Sequence, residues 1–222
     1  MSKMNKNWIL TLMLTALVGV GACASPAPGT NPDDMSVAEH QEHARAHQEA
    51  ADKHQKQHDP TARNRVSGDP NTELYLAGVY NPTERHLIEA QQHQRHADQH
   101  RQAAQSLLNY KEEHCAKFPD ATRASCPLMG QVKAVEDIDG GVRITFHDDV
   151  PREAAVEHMQ CHFAFARTQG YEGMDSCPLY LEGISVEAEG EGQSVKFTTN
   201  KPESVEALRT QTRDHLTGHA EH

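Results

Sequence analysis

The chain has 222 residues, with 21 Lys and Arg set against 32 Asp and Glu for a formal charge of −11, and 16 of its residues are His. That acidity disfavours a nucleic-acid partner. All five Phe fall between Phe118 and Phe197, and the single Trp is Trp8, so a packed core is expected mainly in the C-terminal half.

In chain order the first feature is a leader. Lys3 and Lys6 precede an almost unbroken apolar stretch from Trp8 to Ala22 that contains no Asp or Glu, the order of a secretory n-region and h-region. A helix of that stretch would be about 22 Å long, short of a hydrocarbon core of about 30 Å, so a retained membrane span is not expected. Small residues then lead into Val20-Gly21-Ala22-Cys23, a tetrad that resembles the lipobox of bacterial lipoproteins. The resemblance implies that residues 1–22 are a signal peptide cut off before Cys23. It also implies that Cys23 carries diacylglycerol, that the new amino terminus is acylated by a chain such as palmitate, and that more than one chain gives stable anchoring. Ala24, rather than Asp, after the lipid-bearing Cys implies sorting to the outer membrane, on the periplasmic side.

Residues 23–34 read as a lipidated tether, rich in Pro and small residues from Ala24 to Asn31. Residues 35–115 read as a His-rich helical hairpin. Ser36 and Glu39 have capping-box spacing before a run without Gly or Pro that ends at Asp59-Pro60. A polar connection follows to about Tyr80, in which Leu74, Tyr75, Leu76 and Val79 predict a docked portion. Asn81-Pro82-Thr83-Glu84 predicts the next helix start, with Asn81 as cap and the helix running to about Glu113.

The two helical segments repeat each other. His40-Gln41-x-His43-Ala44-x-x-His47-x-x-Ala50-Ala51 is answered by His93-Gln94-x-His96-Ala97-x-x-His100-x-x-Ala103-Ala104. His40, His47 and His54 recur every seven residues, as do His86, His93 and His100, and later His114 with Leu107 in the intervening place. Each helix therefore carries a face of His and Ala where an ordinary hairpin would carry Leu or Ile.

Residues 116–222 are expected to form a duplicated ββα domain. Cys126-Pro127-Leu128 introduces a strand over Val132 to Ile138, a Gly140-Gly141 turn, a strand with Val142, Ile144 and Phe146, and a helix from about Pro151 to Arg167. Cys177-Pro178-Leu179 introduces the same series, with Ile184, Val186 and Ala188, then Val195 and Phe197, then a helix after Asn200-Lys201-Pro202-Glu203. Period-two alternation gives each hairpin one buried face. The fold class is thus α+β: a long-helix hairpin followed by a ββαββα two-layer sandwich on a four-stranded antiparallel sheet.

His side chains three or four apart on a helix lie on one face and can bind one metal ion together, with a facing helix completing the coordination. His40, His43, His47, His54, His58, His93, His96 and His100 meet this requirement, His86 joins them as a candidate ligand on the heptad stripe, and neutral imidazole suits Zn(II), Cu(II) and Ni(II). Glu39, Glu42, Glu49, Glu89 and Asp98 could add oxygen ligands or second contacts to the rings. His158 and His162 form a further pair beside Cys161; under the duplication His162 aligns with His215, with His219 four residues on, and with Cys177 free a Cys/His site is possible, in which thiolate and thioether ligands would favour Cu(I). The rival reading assigns Cys115, Cys126, Cys161 and Cys177 to disulfides, Cys115 with Cys126 and Cys161 with Cys177, as an even count in an oxidising compartment favours. A solvated hairpin with tolerated His, or a seam that repels itself once protonated, are the other readings of the repeat.

No nucleophile elbow, phosphate-binding Gly-rich loop, zincin motif or c-type haem motif is present, so no catalytic residue, enzyme activity or organic cofactor is expected. The seam helices and the Cys-Pro-Leu modules are similar to uncharacterised envelope lipoproteins of bacteria, a resemblance that implies no activity. The leading expectation is an outer-membrane-anchored periplasmic protein that binds transition-metal ions through its His seam as buffer, sensor or handover protein. The alternative is a structural or interaction lipoprotein of the envelope whose hairpin associates with itself, as a homodimer, or with an envelope partner.

Overall fold

A reciprocal cap opens the first helix: Ser36 Oγ accepts from the Glu39 amide at 3.2 Å, and Glu39 Oε2 accepts from the Ser36 amide at 2.8 Å. The structure, a computed structural model, describes residues 26–62, 81–129, 131–174 and 176–220, with the side chains of residues 219 and 220 excepted. The leader, Cys23 with its lipobox, and the expected docking residues Leu74, Tyr75, Leu76 and Val79 lie outside the described residues.

Helix α1 (Val37–Gln57) packs antiparallel along α2 (Glu84–Cys115). Ala44 and Ala51 on one helix and Ala90, Ala97, Ala103 and Ala104 on the other are buried, so small side chains let the backbones approach. Thr83, not Asn81, is the residue before α2. Asn81 instead ties the start of α2 to the end of α1, since its Oδ1 accepts from the Thr83 amide at 2.8 Å while its Nδ2 donates to the Asp59 carbonyl at 2.8 Å.

A short helix α3 (Asp120–Ala124), not foreseen from the sequence, leads into β1 (Val132–Ile138), β2 (Gly141–Phe146), α4 (Arg152–Thr168), β3 (Ile184–Glu189), β4 (Ser194–Thr199) and α5 (Val205–Ala220). The expected ββαββα order is present, and the sheet order is β1-β2-β4-β3 with every pair antiparallel. Val142 lies opposite Phe197 and Ile144 opposite Val195. Because Val142 corresponds to Val195 and Ile144 to Phe197 in the duplicated modules, the repeat exchanges these two cross-strand pairs, and the sheet has an approximate two-fold axis between β2 and β4. Gly141 sits so close to β4 that a Cβ would meet the Phe197 carbonyl oxygen at 1.9 Å, which leaves no room for a side chain.

One face of the sheet buries Val142, Ile144, Phe146, Val195 and Phe197 against Met159 of α4 and Leu208 of α5, the core expected in this half. The other face carries charge: Arg143 lies between Glu136 and Glu189, and Lys196 reaches Glu189 at 2.9 Å.

The hairpin is joined to the sandwich where α2 ends on α4. Cys115 and Cys161 form a disulfide there, with Cα atoms 4.8 Å apart, flanked by Tyr110, Phe118 and Phe165. This corrects the expected pairing. Cys115 does not bond to Cys126, nor Cys161 to Cys177, because the end of α2 meets the next long helix rather than the Cys-Pro-Leu segment that follows it; Cys126 and Cys177 are free thiols. A short turn at Pro32–Asp34 adds a second fastening, since Arg167 Nε donates to Asp33 Oδ1 at 2.7 Å while its guanidinium lies 4.4 Å from the Tyr110 ring centre. Among the described residues no helix is long and apolar enough to cross a membrane.

Candidate metal centre

Heptad spacing on two antiparallel helices brings the histidines face to face. His40 meets His100 with their Nδ1 atoms 3.0 Å apart, His47 meets His93 at 3.0 Å, and His54 meets His86 at 3.2 Å. The repeat equates His40 with His93 and His47 with His100, so it carries the His40–His100 pair onto the His93–His47 pair. His43 stacks on His100 with ring centres 5.1 Å apart, and its counterpart His96 meets His47 at 5.0 Å. Further stacking of His47 on His100 and of His54 on His93 joins the rings into one ladder along the hairpin.

Two neutral imidazole nitrogens at these distances share one proton, one donating and the other accepting. At the buried end the assignment follows from the backbone. The Pro32 carbonyl lies 3.4 Å from His40 Nε2 and can only accept, so that nitrogen carries the proton, His40 Nδ1 accepts, and His100 Nδ1 donates. Burial, and then the neighbouring imidazoles of His40, His43, His47 and His96, hold His100 down to about 4. His47 is lowered by the same causes, burial first and then His96, His93 and His43. Both effects keep these rings neutral near pH 7, the form that ligates metals.

The other end of the ladder is more open, and a carboxylate joins it. Glu89 Oε2 lies 3.1 Å from His54 Nδ1 and 3.4 Å from His86 Nδ1, and the side chains of His54, His86 and Glu89 are 24%, 35% and 25% exposed. Arg85, one turn earlier on α2, donates to Glu89 Oε1 at 2.8 Å, which fixes the carboxylate and leaves Oε2 directed at the histidines. That hydrogen bond is the main reason the Glu89 carboxyl is held below its ordinary range. Among the described residues this is the one group of three or more His, Cys, Asp or Glu whose ligand atoms all lie within 4.8 Å of one another.

The triangle has the dimensions of a metal face. Ligand atoms about 2.0–2.1 Å from one Zn(II) are about 3.3 Å apart at the tetrahedral angle, which the His54, His86 and Glu89 separations match. Such a face leaves at least one coordination position for water or an exchanging ligand.

The remaining expected ligands fall elsewhere. His58, just past the end of α1, has its Nε2 3.6 Å from Glu84 Oε2. Of the acids, Glu39 is taken up by the Ser36 cap, and Asp98 forms an ion pair with Arg101. Glu42 and Glu49 are exposed on α1. His158 and His162 lie on α4, outside the ladder, with ring centres 4.9 Å apart. His158 also leans on Phe118, and burial lowers it. His215 of α5, which aligns with His162 in the duplicated modules, has its Nε2 3.0 Å from the Cys126 sulfur. No family model, curated protein or solved structure matches this chain.

Proposed function

We propose that this protein binds a divalent transition-metal ion through the histidine ladder, with His54, His86 and Glu89 as the primary site and the inner pairs as further ligands. The observation that carries the reading is the His54–His86–Glu89 triangle, three donor atoms separated by 3.1 to 3.4 Å at the open end of the seam. Partial exposure favours exchange over permanent burial, which suits buffering, sensing or handover. Zn(II), Cu(II) and Ni(II) are the ions that two imidazoles and a carboxylate suit. The leader and the Val20-Gly21-Ala22-Cys23 tetrad support an outer-membrane lipoprotein facing the periplasm as the setting for this activity; palmitate labelling that is lost in Cys23→Ser tests that address.

Calorimetry and equilibrium dialysis of the full chain with each ion test the binding. Replacing a supporting residue around a metal costs about 10–100-fold in affinity, so loss of two ligands in His54→Ala/His86→Ala is expected to cost more than 100-fold. Glu89→Gln, which keeps shape but removes charge, is expected to weaken binding while leaving the helices intact. Undiminished affinity in these variants overturns the site, and absence of binding by the unaltered chain overturns the function.

A further inference from the structure

A second constellation of metal-binding side chains lies in the sandwich, away from the ladder. Cys126 and Cys177, the two free thiols among the described residues, line one cavity of about 430 Å³ together with His162 and His215. The two ββα modules each contribute one Cys, from a Cys-Pro-Leu segment, and one His, from the helix that ends the module. Cys126 of the first module meets His215 of the second at 3.0 Å. The repeat turns that couple into Cys177 and His162, and both of these line the same cavity.

Two further observations point to a ligand. His162 is only 8% exposed, and its Nε2 has no hydrogen-bond partner, which leaves a buried polar nitrogen without its usual compensation. Ile88, Met129 and Met174 are the exposed large hydrophobic residues of the described chain, and both methionines line this cavity. Exposed thioethers beside paired thiols and imidazoles form a soft donor set.

We propose that this cavity binds Cu(I), held by the sulfurs of Cys126 and Cys177 with imidazole support from His215 and His162, and with Met129 and Met174 supplying thioethers. Cu(I) is satisfied by two or three soft ligands, so it does not require the tight three-atom convergence seen at His54, His86 and Glu89. Burial pushes the Cys177 thiol up to about 11 and raises Cys126 as well, so both are protonated in the metal-free protein at neutral pH. Capture of Cu(I) therefore forms two copper–sulfur bonds and releases one proton from each thiol, with no change of oxidation state. This site neither requires nor excludes metal binding by the histidine ladder.

The test is competition for Cu(I) between the full chain and a chromophoric Cu(I) chelator under anaerobic, reducing conditions. One equivalent is expected at the cysteines. Cys126→Ser, a near-isosteric change at a half-buried position on the edge of the core, is expected to weaken it by more than the about 100-fold upper range of supporting residues. Met129→Leu/Met174→Leu, on exposed positions where folding is not at issue, is expected to weaken it by about tenfold. His54→Ala/His86→Ala is expected to leave it unchanged, which separates this site from the ladder. Three results would overturn the proposal: undiminished Cu(I) affinity in Cys126→Ser, Zn(II) displacing Cu(I) from the cysteines, or a Cys126–Cys177 disulfide in protein prepared without reductant.

Discussion

The sandwich closes on Phe146, Phe197, Ile144 and Leu208, whereas the hairpin closes on alanines and a ladder of imidazoles. Both regions arise from repetition and both pair their repeats antiparallel, so the contrast lies in side-chain chemistry more than in architecture. Apolar burial stabilises the sandwich at any pH. Imidazole pairs cohere only while each can share one proton, and a second proton turns attraction into repulsion. The hairpin is thus the region whose helix-to-helix contact is itself built from groups open to protons and metal ions, whereas in the sandwich such groups, His158 and His162 among them, stand beside an apolar core.

The largest expected effect breaks the apolar side of that comparison. Phe197→Ala empties a fully buried position facing both sheet and helices and is expected to cost about 3–5 kcal/mol in chemical denaturation while leaving divalent-metal stoichiometry unchanged in the folded fraction. Next in size is the joint between the regions. Cys115→Ser opens a cross-link of sequence separation 46 and is expected to cost about 2–4 kcal/mol in the same assay.

Acid sharpens the comparison with a smaller effect. The folded chain holds His100 down to about 4, against an ordinary value of 6.5, so between those values the unfolded chain binds the proton more readily. Its contribution to stability is complete above pH 6.5 and is lost as pH falls toward 4. Hydrogen exchange of the metal-free protein is expected to show α1 and the facing part of α2 losing protection across that window, ahead of β2 and β4. Burial holds His162 of α4 down to about 4 as well, so the sandwich carries an acid-sensitive contribution of its own; loss of protection in β2 and β4 ahead of α1 would contradict the assignment of the earlier loss to the ladder.

Local signals in the sequence were enough for much of this. The Ser36 and Glu39 cap, the β1 boundaries and the two Gly turns depend on neighbours a few residues apart, and the structure has them as read. The ladder was legible because heptad spacing on a repeated helix dictates which face the imidazoles share. The disulfide was not, since Cys115 finds Cys161 through the meeting of α2 with α4, a tertiary event that local spacing does not encode. Glu89 was one of several acids near the seam. Its selection rests on Arg85 gripping one carboxylate oxygen and on the register that sets His54 opposite His86. Cys126 and Cys177 were misassigned for a related reason, because the approximate two-fold axis of the sandwich brings the Cys-Pro-Leu segments to one cavity instead of delivering each to the preceding helix.

X-ray absorption at the zinc edge, on the full chain loaded with one equivalent of Zn(II), tests the shared-imidazole claim most directly. The account predicts a shell of nitrogen and oxygen at about 2.0–2.1 Å with the outer-shell scattering of at least two imidazoles, lost in His54→Ala/His86→Ala. A sulfur shell at about 2.3 Å, or a shell of oxygen without imidazole scattering, would contradict it.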